Sequence, residues 1–292
     1  MYKKQNKVFI ADFLNLIRKK YFFLKCEVRD IYNSYLSKST KPKMTPYGFN
    51  LVGSSSMHHI AMQKGEFEPE ETKLFIQEFN RSDIFIDIGA NIGFYSCLAK
   101  SYNKHVIAIE PMKKNLDYLM ANIEVNNWSD IEVFPIGLSS QPGIASLYGA
   151  SSTGASLVDN WAGSSGFFKR TIPLSSLDII LGERFKNRHL FIKVDVEGAE
   201  YNLLLGAINV IKREPKPTWI IEICLNEYHP DGFNPYYENT FNLFWNHGYE
   251  VRTADQRNIL ITKEDVQKWL SQNKSESGTI NYKFSAPVDA QL

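Results

Sequence analysis

The sequence has little cysteine and no long hydrophobic run. Its 292 residues include three cysteines, Cys26, Cys97 and Cys224, which are widely spaced and form no CxxC pair. This scarcity argues against a disulfide framework or a zinc site and, with no recognisable signal peptide, is typical of a cytoplasmic protein. The apolar run at 8–17 contains Asp12 and is far shorter than the roughly 20 residues that span a bilayer. We therefore expect no transmembrane helix there.

The chain also has almost no net charge, but its charges are unevenly distributed. Residues 1–43 carry +8 and the remainder carries −7. We expect 1–43 to be a basic helical arm and linker that precedes a catalytic domain at 44–292. The arm could pack on that domain or on a second subunit of a homo-oligomer, or lie on the anionic inner face of a membrane. The acidic remainder disfavours a nucleic-acid partner, because it would repel a phosphate backbone.

Short apolar runs alternate with helical patterns along the domain. Runs that are apolar throughout are typical of parallel strands covered on both faces, so the pattern predicts a doubly wound α/β fold. The predicted strands are 84–88, 106–109, 131–136, 190–196 and 219–223, and the predicted helices are 95–102, 113–126 and 201–212.

A long insertion at 138–175 separates the third and fourth predicted strands. Two β-like pieces, 145–148 and 169–173, flank a stretch rich in glycine and serine. Long irregular insertions in compact domains are functional or disordered, and this one follows a strand end, where open α/β sheets bind ligands. We expect it to face the substrate.

The first strand runs into a glycine turn, Asp87-Ile88-Gly89-Ala90-Asn91-Ile92-Gly93. A dinucleotide fingerprint, G-x-G-x-x-G, requires glycine where Asn91 stands. Asp87 at the strand end would repel a pyrophosphate but could bind the ammonium group of S-adenosylmethionine. The turn therefore favours S-adenosylmethionine over a dinucleotide as the cofactor.

The ends of the next two strands provide further candidates for cofactor contacts. The second strand ends in Glu110-Pro111, and a carboxylate there can accept hydrogen bonds from both ribose hydroxyls. That role is common to NAD and S-adenosylmethionine sites. Ile136 and Gly137, after the third strand, stand where an adenine ring would lie.

Acidic residues follow the fourth and fifth strands. Asp195, Glu197 and Glu200 close the segment KVDVEGAE, and Glu222 ends the next strand. Neighbouring carboxylates could act as a general base or bind a divalent cation such as Mg²⁺, and the sequence leaves both open. Structural alternatives are also open, namely a Lys193–Asp195 pair and helix-end roles for Glu197 and Glu200.

His229, in a turn with proline and glycine after the fifth strand, is a further candidate base. A loop histidine beside proline is also a common surface residue. The adjacent pair His58-His59 lacks a spaced third ligand, so we do not expect a metal site there.

Five motifs in this order, DIFIDIGANIGFYS, VIAIEP, IPLSSLD, FIKVDVEGAEYNLLLGA and WIIEI, resemble the FkbM-family methyltransferases. The resemblance covers 65–253 and implies a class I methyltransferase (Rossmann-like) fold, with a mostly parallel seven-stranded sheet whose last strand is antiparallel. It implies O-methylation of hydroxyls, often on sugars of bacterial glycans or on secondary metabolites. The chain departs from the family outside that core, in the basic arm, and at Ile136, where a small or polar residue is expected beside adenine.

We therefore expect an S-adenosylmethionine-dependent O-methyltransferase that acts on a sugar, a glycan or glycolipid intermediate, or a secondary metabolite. The alternatives are a non-catalytic S-adenosylmethionine-binding scaffold and an NAD-linked oxidoreductase. The expected catalytic residues are Asp195, Glu197, Glu222 and His229, with Asp195 and Glu222 as metal ligands if Mg²⁺ is used. The expected cofactor residues are Asp87, Gly89, Ala90, Asn91, Gly93, Glu110, Pro111 and Gly137.

Overall fold

A computed structural model describes residues 41–149, 154–163 and 168–287, together with positions 21, 25 and 28. The predicted basic arm lies almost entirely outside the described residues, as do Cys26 and parts of the glycine- and serine-rich stretch. None of the helices in the described part combines the length and the hydrophobicity that crossing a lipid bilayer requires.

Twelve strands and nine helices are described in these ranges. The strands are β1 (Lys43–Met44), β2 (Asn50–Leu51), β3 (Ile84–Ile88), β4 (His105–Ile109), β5 (Ile131–Phe134), β6 (Gly137–Leu138), β7 (Gly143–Tyr148), β8 (Lys169–Ser175), β9 (Leu190–Val194), β10 (Thr218–Glu222), β11 (Glu250–Thr253) and β12 (Asn281–Ser285). The helices are α1 (Met57–Lys64), α2 (Pro69–Phe79), α3 (Phe94–Ser101), α4 (Lys113–Val125), α5 (Leu177–Leu181), α6 (Glu200–Leu205), α7 (Ile208–Ile211), α8 (Tyr237–Trp245) and α9 (Lys263–Gln272).

A seven-stranded sheet forms the centre of the molecule, in the order β11-β12-β10-β9-β3-β4-β5. Every neighbouring pair from β10 to β5 is parallel, and β12 is antiparallel to both β10 and β11. This is the class I methyltransferase fold with its one reversed strand, so the predicted α/β fold is confirmed. The apolar strands β3 and β9 are buried along their whole length, as expected for strands between two helical layers.

The sheet has a large aromatic core on one face. Phe75 and Phe79 of α2 pack on Phe85 of β3 and Phe191 of β9, with ring centroids 5.0–6.1 Å apart. Burying one such side chain contributes about 1.5–3 kcal/mol, so α2 is held firmly against β3 and β9. The loop that precedes α2 is thereby positioned beside the carboxyl ends of these strands.

The structure differs from the predicted elements at three places. The predicted strand 131–136 ends at Phe134, and Gly137 and Leu138 pair with β8 in a separate sheet of order β6-β8-β7 within the insertion. The predicted helix 201–212 is two helices, because Gly206 approaches the backbone of Ser139 so closely that a Cβ would lie 2.2 Å from its carbonyl oxygen. Strand β12 lies beyond the range 65–253 of the family resemblance.

Candidate active site

A cleft of about 440 Å³ lies at the carboxyl ends of β3, β4, β9 and β10. This is where open α/β sheets bind ligands, and the volume falls in the usual range of about 300–1,000 Å³ for small-molecule sites. We call the wall formed by Gly89, Asn91, Glu110, Pro111 and Gly137 the β4 half of the cleft. We call the wall formed by Asp195, Val196, Glu197, Glu222 and Tyr228 the β10 half.

Glycine is required in the turn after β3 by close backbone packing. Gly89 has φ +80°, and a Cβ there would lie 1.9 Å from the carbonyl oxygen of Asp195. Gly93 has φ +84°, and a Cβ there would lie 2.3 Å from a methyl carbon of Leu119 in α4. The first glycine therefore brings β3 and β9 together at the floor of the cleft, and the second lets α3 pack against α4.

Backbone N–H groups hold the carboxylate of Glu110 in the β4 half. The N–H groups of Asn91 and Met112 each donate to one of its oxygens at 2.8 Å. Burial raises the pKa of Glu110 to about 7, although these two hydrogen bonds act in the opposite direction. A carboxylate has about four acceptor positions, so Glu110 can still accept from the hydroxyls of a ligand.

The predicted cofactor residues divide into two groups. The five residues of the β4 half line the cleft, whereas the other three lie beneath its wall: Asp87, Ala90 and Gly93. Close packing leaves no room for a side chain at Gly137, since a Cβ there would lie 2.8 Å from Leu174 and 2.9 Å from Ile172 of β8. Ile136 also lines the cleft.

Asp87 does not line the cleft that we expected it to face. It is 1% exposed, and one carboxylate oxygen accepts a 2.6 Å hydrogen bond from Ser96 of α3. Its neighbour in register on β9 is Lys193. Burial raises the pKa of Asp87, and the charge of Lys193 offsets this shift only in part. Asp87 therefore belongs to a buried charge group below the cleft.

Lys193 joins this buried group to the β10 half. Its ammonium lies 3.0 Å from a carboxylate oxygen of Asp195, which is the structural alternative considered from the sequence. Burial alone would lower the pKa of Lys193, but the charges of Asp195 and Asp87 outweigh burial and the net shift is upward. Lys193 is therefore a permanent cation between two acids.

Glu197 is bound by the insertion and does not cap α6. Its carboxylate accepts a 2.7 Å hydrogen bond from the indole N–H of Trp161, and its backbone carbonyl accepts one from Ser156. Trp161 is 1% exposed and packs over Gly198, where a Cβ would lie 2.4 Å from the indole ring. We call residues 154–163, which contain this tryptophan, the Trp161 strap. Four of its residues line the cleft: Gly154, Ala155, Leu157 and Ala162.

Three carboxylates in or beside the β10 half, those of Glu197, Glu200 and Glu222, have raised pKa values. Burial and the charge of Asp195 raise the pKa of Glu197 to about 7. Burial raises the pKa of Glu200, which begins α6 and accepts from the N–H of Gly198, to about 8. Burial, followed by the charges of Asp195, Glu197 and Glu200, raises the pKa of Glu222 to about 9. Excess negative charge is thus concentrated in this half.

Glu222 is the acid in this half with the weakest protein contact. Within the described ranges, its carboxylate has one hydrogen-bond contact, a 3.9 Å approach by the thiol of Cys224, and no ion-pair partner. Its position at the end of β10 leaves it facing the cleft. It is therefore available to a ligand.

Two further candidates in this half are a histidine base and a metal site. His229 does not line the cleft and instead packs edge-on against Trp161, with ring centroids 6.0 Å apart. Among the described residues, no group of three or more His, Cys, Asp or Glu side chains is arranged to hold a metal ion. Asp195 and Glu222 do line the same cleft, so their proximity is as predicted.

The cleft has a third wall, which no sequence pattern predicted and which α1 and the loop after it contribute. Its four lining residues are His58, Met62, Phe67 and Glu68. They lie ahead of the glycine turn in the sequence, and no local pattern marks them, because α2 rather than a strand brings this loop to the sheet edge. His59, beside them, is buried and binds Ser54 through Nδ1.

Comparison with known proteins assigns the chain to a family. The model of the methyltransferase FkbM domain matches residues 87–251. No curated protein matches the sequence significantly. An O-methyltransferase from Bacillus cereus in complex with SAH is similar in structure, with 12% identity, 73% of this chain and 78% of that chain covered, and a TM-score of 0.41. A putative O-methyltransferase from Klebsiella pneumoniae has 7% identity, 73% and 77% coverage, and a TM-score of 0.41.

Proposed function

Because the chain belongs to the FkbM methyltransferase family and is an S-adenosylmethionine-dependent methyltransferase, we propose that it methylates a hydroxyl oxygen. We propose as acceptors a sugar, a glycan or glycolipid intermediate, or a secondary metabolite. The observation that carries the proposal is the division of one cleft into two halves. One has a backbone-held carboxylate suited to ribose, and the other has a desolvated acid, Glu222, suited to deprotonating a hydroxyl.

The residues of the β4 half fit S-adenosylmethionine. Gly89 lines the cleft where the ligand would cross β3, and Glu110 would accept from the ribose hydroxyls. The Oδ1 atom of Asn91 is buried without a hydrogen-bond partner among the described residues, which is the condition of a group that a ligand completes. When bound, S-adenosylmethionine supplies an electrophilic methyl carbon on a sulfonium centre.

In the β10 half, Glu222 would act as the general base. A hydroxyl is a weak acid, and a base whose pKa is near that of the medium removes its proton most effectively. Burial and neighbouring charge bring Glu222 towards that condition, with a pKa of about 9. The proton of the acceptor hydroxyl passes to its carboxylate as the oxygen attacks. Asp195 is less suited to this role, because Lys193 already neutralises it.

The Trp161 strap would orient Glu197 and exclude water from the acceptor side. Its indole N–H holds the Glu197 carboxylate, and the backbone N–H of Ala162 donates to the carbonyl of Tyr228 at 2.7 Å. These contacts connect the insertion to the loop after β9, which contains Glu197, and to the loop after β10, which contains Tyr228. A closed wall there would strengthen the electrostatic effect of the acids, because water screens charges.

The test is transfer of a labelled methyl group from S-adenosylmethionine to a panel of glycans and hydroxylated small molecules. Glu222→Gln should lower kcat by about 10²–10⁴ if Glu222 is the base. In the wild type, kcat should rise with pH towards about 9, because the base acts only when ionised. The matched control is Glu264→Gln, an exposed acid on α9, which should leave kcat unchanged. Cofactor binding without transfer to any acceptor would favour a non-catalytic scaffold instead.

The same transfer assay, repeated with a metal chelator, tests whether the reaction depends on a metal ion. Activity that disappears with a chelator and returns with Mg²⁺ would favour Asp195 and Glu222 as metal ligands. Activity that resists the chelator would favour Glu222 as a base.

A further inference from the structure

We propose that Glu68, which lies ahead of the matched family domain, binds the ammonium group of the cofactor's methionine moiety. This assignment rests on the proposed function only in requiring that S-adenosylmethionine occupies the cleft. It gives Glu68 the role that the sequence suggested for Asp87, whose side chain lies below the cleft wall.

The position of Glu68 is opposite Glu110. Its electrostatic neighbours include Lys193 and Asp195, so it lies on the side of the cleft where β9 ends. Glu110 lies at the end of β4, on the other side of β3. A ligand whose ribose binds Glu110 and which crosses β3 at Gly89 would carry its amino-acid end towards Glu68.

The contacts of Glu68 leave its charge unneutralised. One carboxylate oxygen accepts a 2.7 Å hydrogen bond from the hydroxyl of Tyr95, a neutral donor. No salt bridge to Glu68 is present in the part of the chain that the structure describes. Burial raises the pKa of this carboxyl, although the residue itself is exposed to the cleft. A partly desolvated acid that faces a cleft with no Lys or Arg among its described lining residues is the complement of an ammonium group.

The other acids that line the cleft already have partners or roles. Glu110 is held by two backbone N–H groups, and Asp195 and Glu197 are bound by Lys193 and Trp161. Glu222 lines the β10 half, where it is the proposed base. Glu68 is therefore the acid best placed for the ammonium.

The local backbone supports a binding role for this residue. Glu68 has φ +40°, a left-handed conformation that is unfavourable for glutamate, and it stands directly before Pro69 at the start of α2. Strain of this kind persists where surrounding contacts impose it and is concentrated at ligand sites. The Tyr95 ring that fixes the carboxylate is itself stacked on Phe75 at 4.2 Å. The side chain is thus aimed by the aromatic core.

The experiment is calorimetric titration of the full chain with two ligands, so that no turnover is needed. The first is S-adenosylhomocysteine, and the second is its analogue without the amino group. For Glu68→Gln we expect S-adenosylhomocysteine affinity to fall about ten- to a hundredfold, as for the loss of one charge-assisted hydrogen bond. The analogue should bind the wild type and Glu68→Gln equally, because it has no ammonium to lose.

The matched control is Glu70→Gln on the same helix, since Glu70 pairs with Lys73 in solvent. It should leave both affinities unchanged. Equal losses for the two ligands in Glu68→Gln, or no loss for S-adenosylhomocysteine, would overturn the assignment while leaving the proposed function standing. A wild-type chain that binds neither ligand would overturn both.

Discussion

The two halves of the cleft hold their acids in opposite ways. In the β4 half, Glu110 receives two backbone N–H groups from the turns around it. In the β10 half, Asp195, Glu197 and Glu222 all lie within reach of the charge of a single described cation, Lys193. The first arrangement is a preformed acceptor for neutral hydroxyls. The second places carboxylates so close together that their mutual repulsion favours binding of a proton or a cation.

The largest expected effect on stability concerns Lys193, the cation beside the acids of the β10 half. Lys193→Met should lower the free energy of unfolding by about 3–5 kcal/mol, because it leaves buried acids without their counter-charge. The loss should become smaller as the pH falls, since the raised pKa of Asp87 lets protonation remove one unpaired charge. Urea denaturation of both proteins measures this loss in the free energy of unfolding. Lys113→Met, which removes a solvent-exposed pair with Asp117, should cost less than about 0.5 kcal/mol. Equal losses in both variants would refute the charge argument.

The floor between the halves depends on Gly89. Gly89→Ala should destabilise the protein by about 2–4 kcal/mol, because a methyl group would clash with the Asp195 carbonyl at a positive φ. Thermal unfolding provides the measurement. Gly143→Ala is the control, since a Cβ at Gly143 meets nothing within 4 Å. A stability change no greater than that of the control would mean that β3 and β9 do not require this close approach.

The β4 half should bind cofactor in a pH-dependent way through Glu110. Glu110→Gln should weaken S-adenosylhomocysteine binding by about tenfold or more, because an acceptor pair is lost. Wild-type affinity should rise between pH 6 and pH 8, since hydroxyls donate best to the ionised carboxylate and its pKa is about 7. The variant should show a flat profile in the same calorimetric titration. A pH dependence that survives the substitution would assign the titration to another group.

The β10 half should lose stability as its acids ionise. The folded-state pKa of Glu222 is raised above its unfolded value, so the folded state holds the proton more tightly and stability falls as pH rises towards about 9. Glu222→Gln should therefore be nearly equal to the wild type at pH 5 and more stable than it at pH 9, by about 1.4 kcal/mol for each pH unit between the unfolded and folded pKa values. Chemical denaturation at both pH values tests this. If Glu222→Gln were less stable than the wild type at pH 9, the β10 half would not carry an unfavourable excess of negative charge.

The sequence predicted the β4 half better than the β10 half. The glycine turn and Glu110 are specified by neighbours along the chain, so their pattern was readable. Asp87 was expected to face the cleft, but alternation along β3 turns it to the same face as Phe85, beside Ser96 and Lys193. His229 does not line the cleft, and Trp161, more than sixty residues earlier in the sequence, binds Glu197 and packs against the His229 ring.

By itself the sequence determined the parallel sheet, the glycine turn after β3 and the presence of acids at the ends of β9 and β10. These features follow from apolar periodicity, glycine spacing and residue order, which are local properties of the chain. Only the tertiary structure decided which acids face the cleft. Aromatic packing of α2 on β3 and β9 brings Glu68 to it, and pairing across the sheet places Asp87 beneath it. Side-chain direction and desolvation depend on neighbours that are distant in sequence.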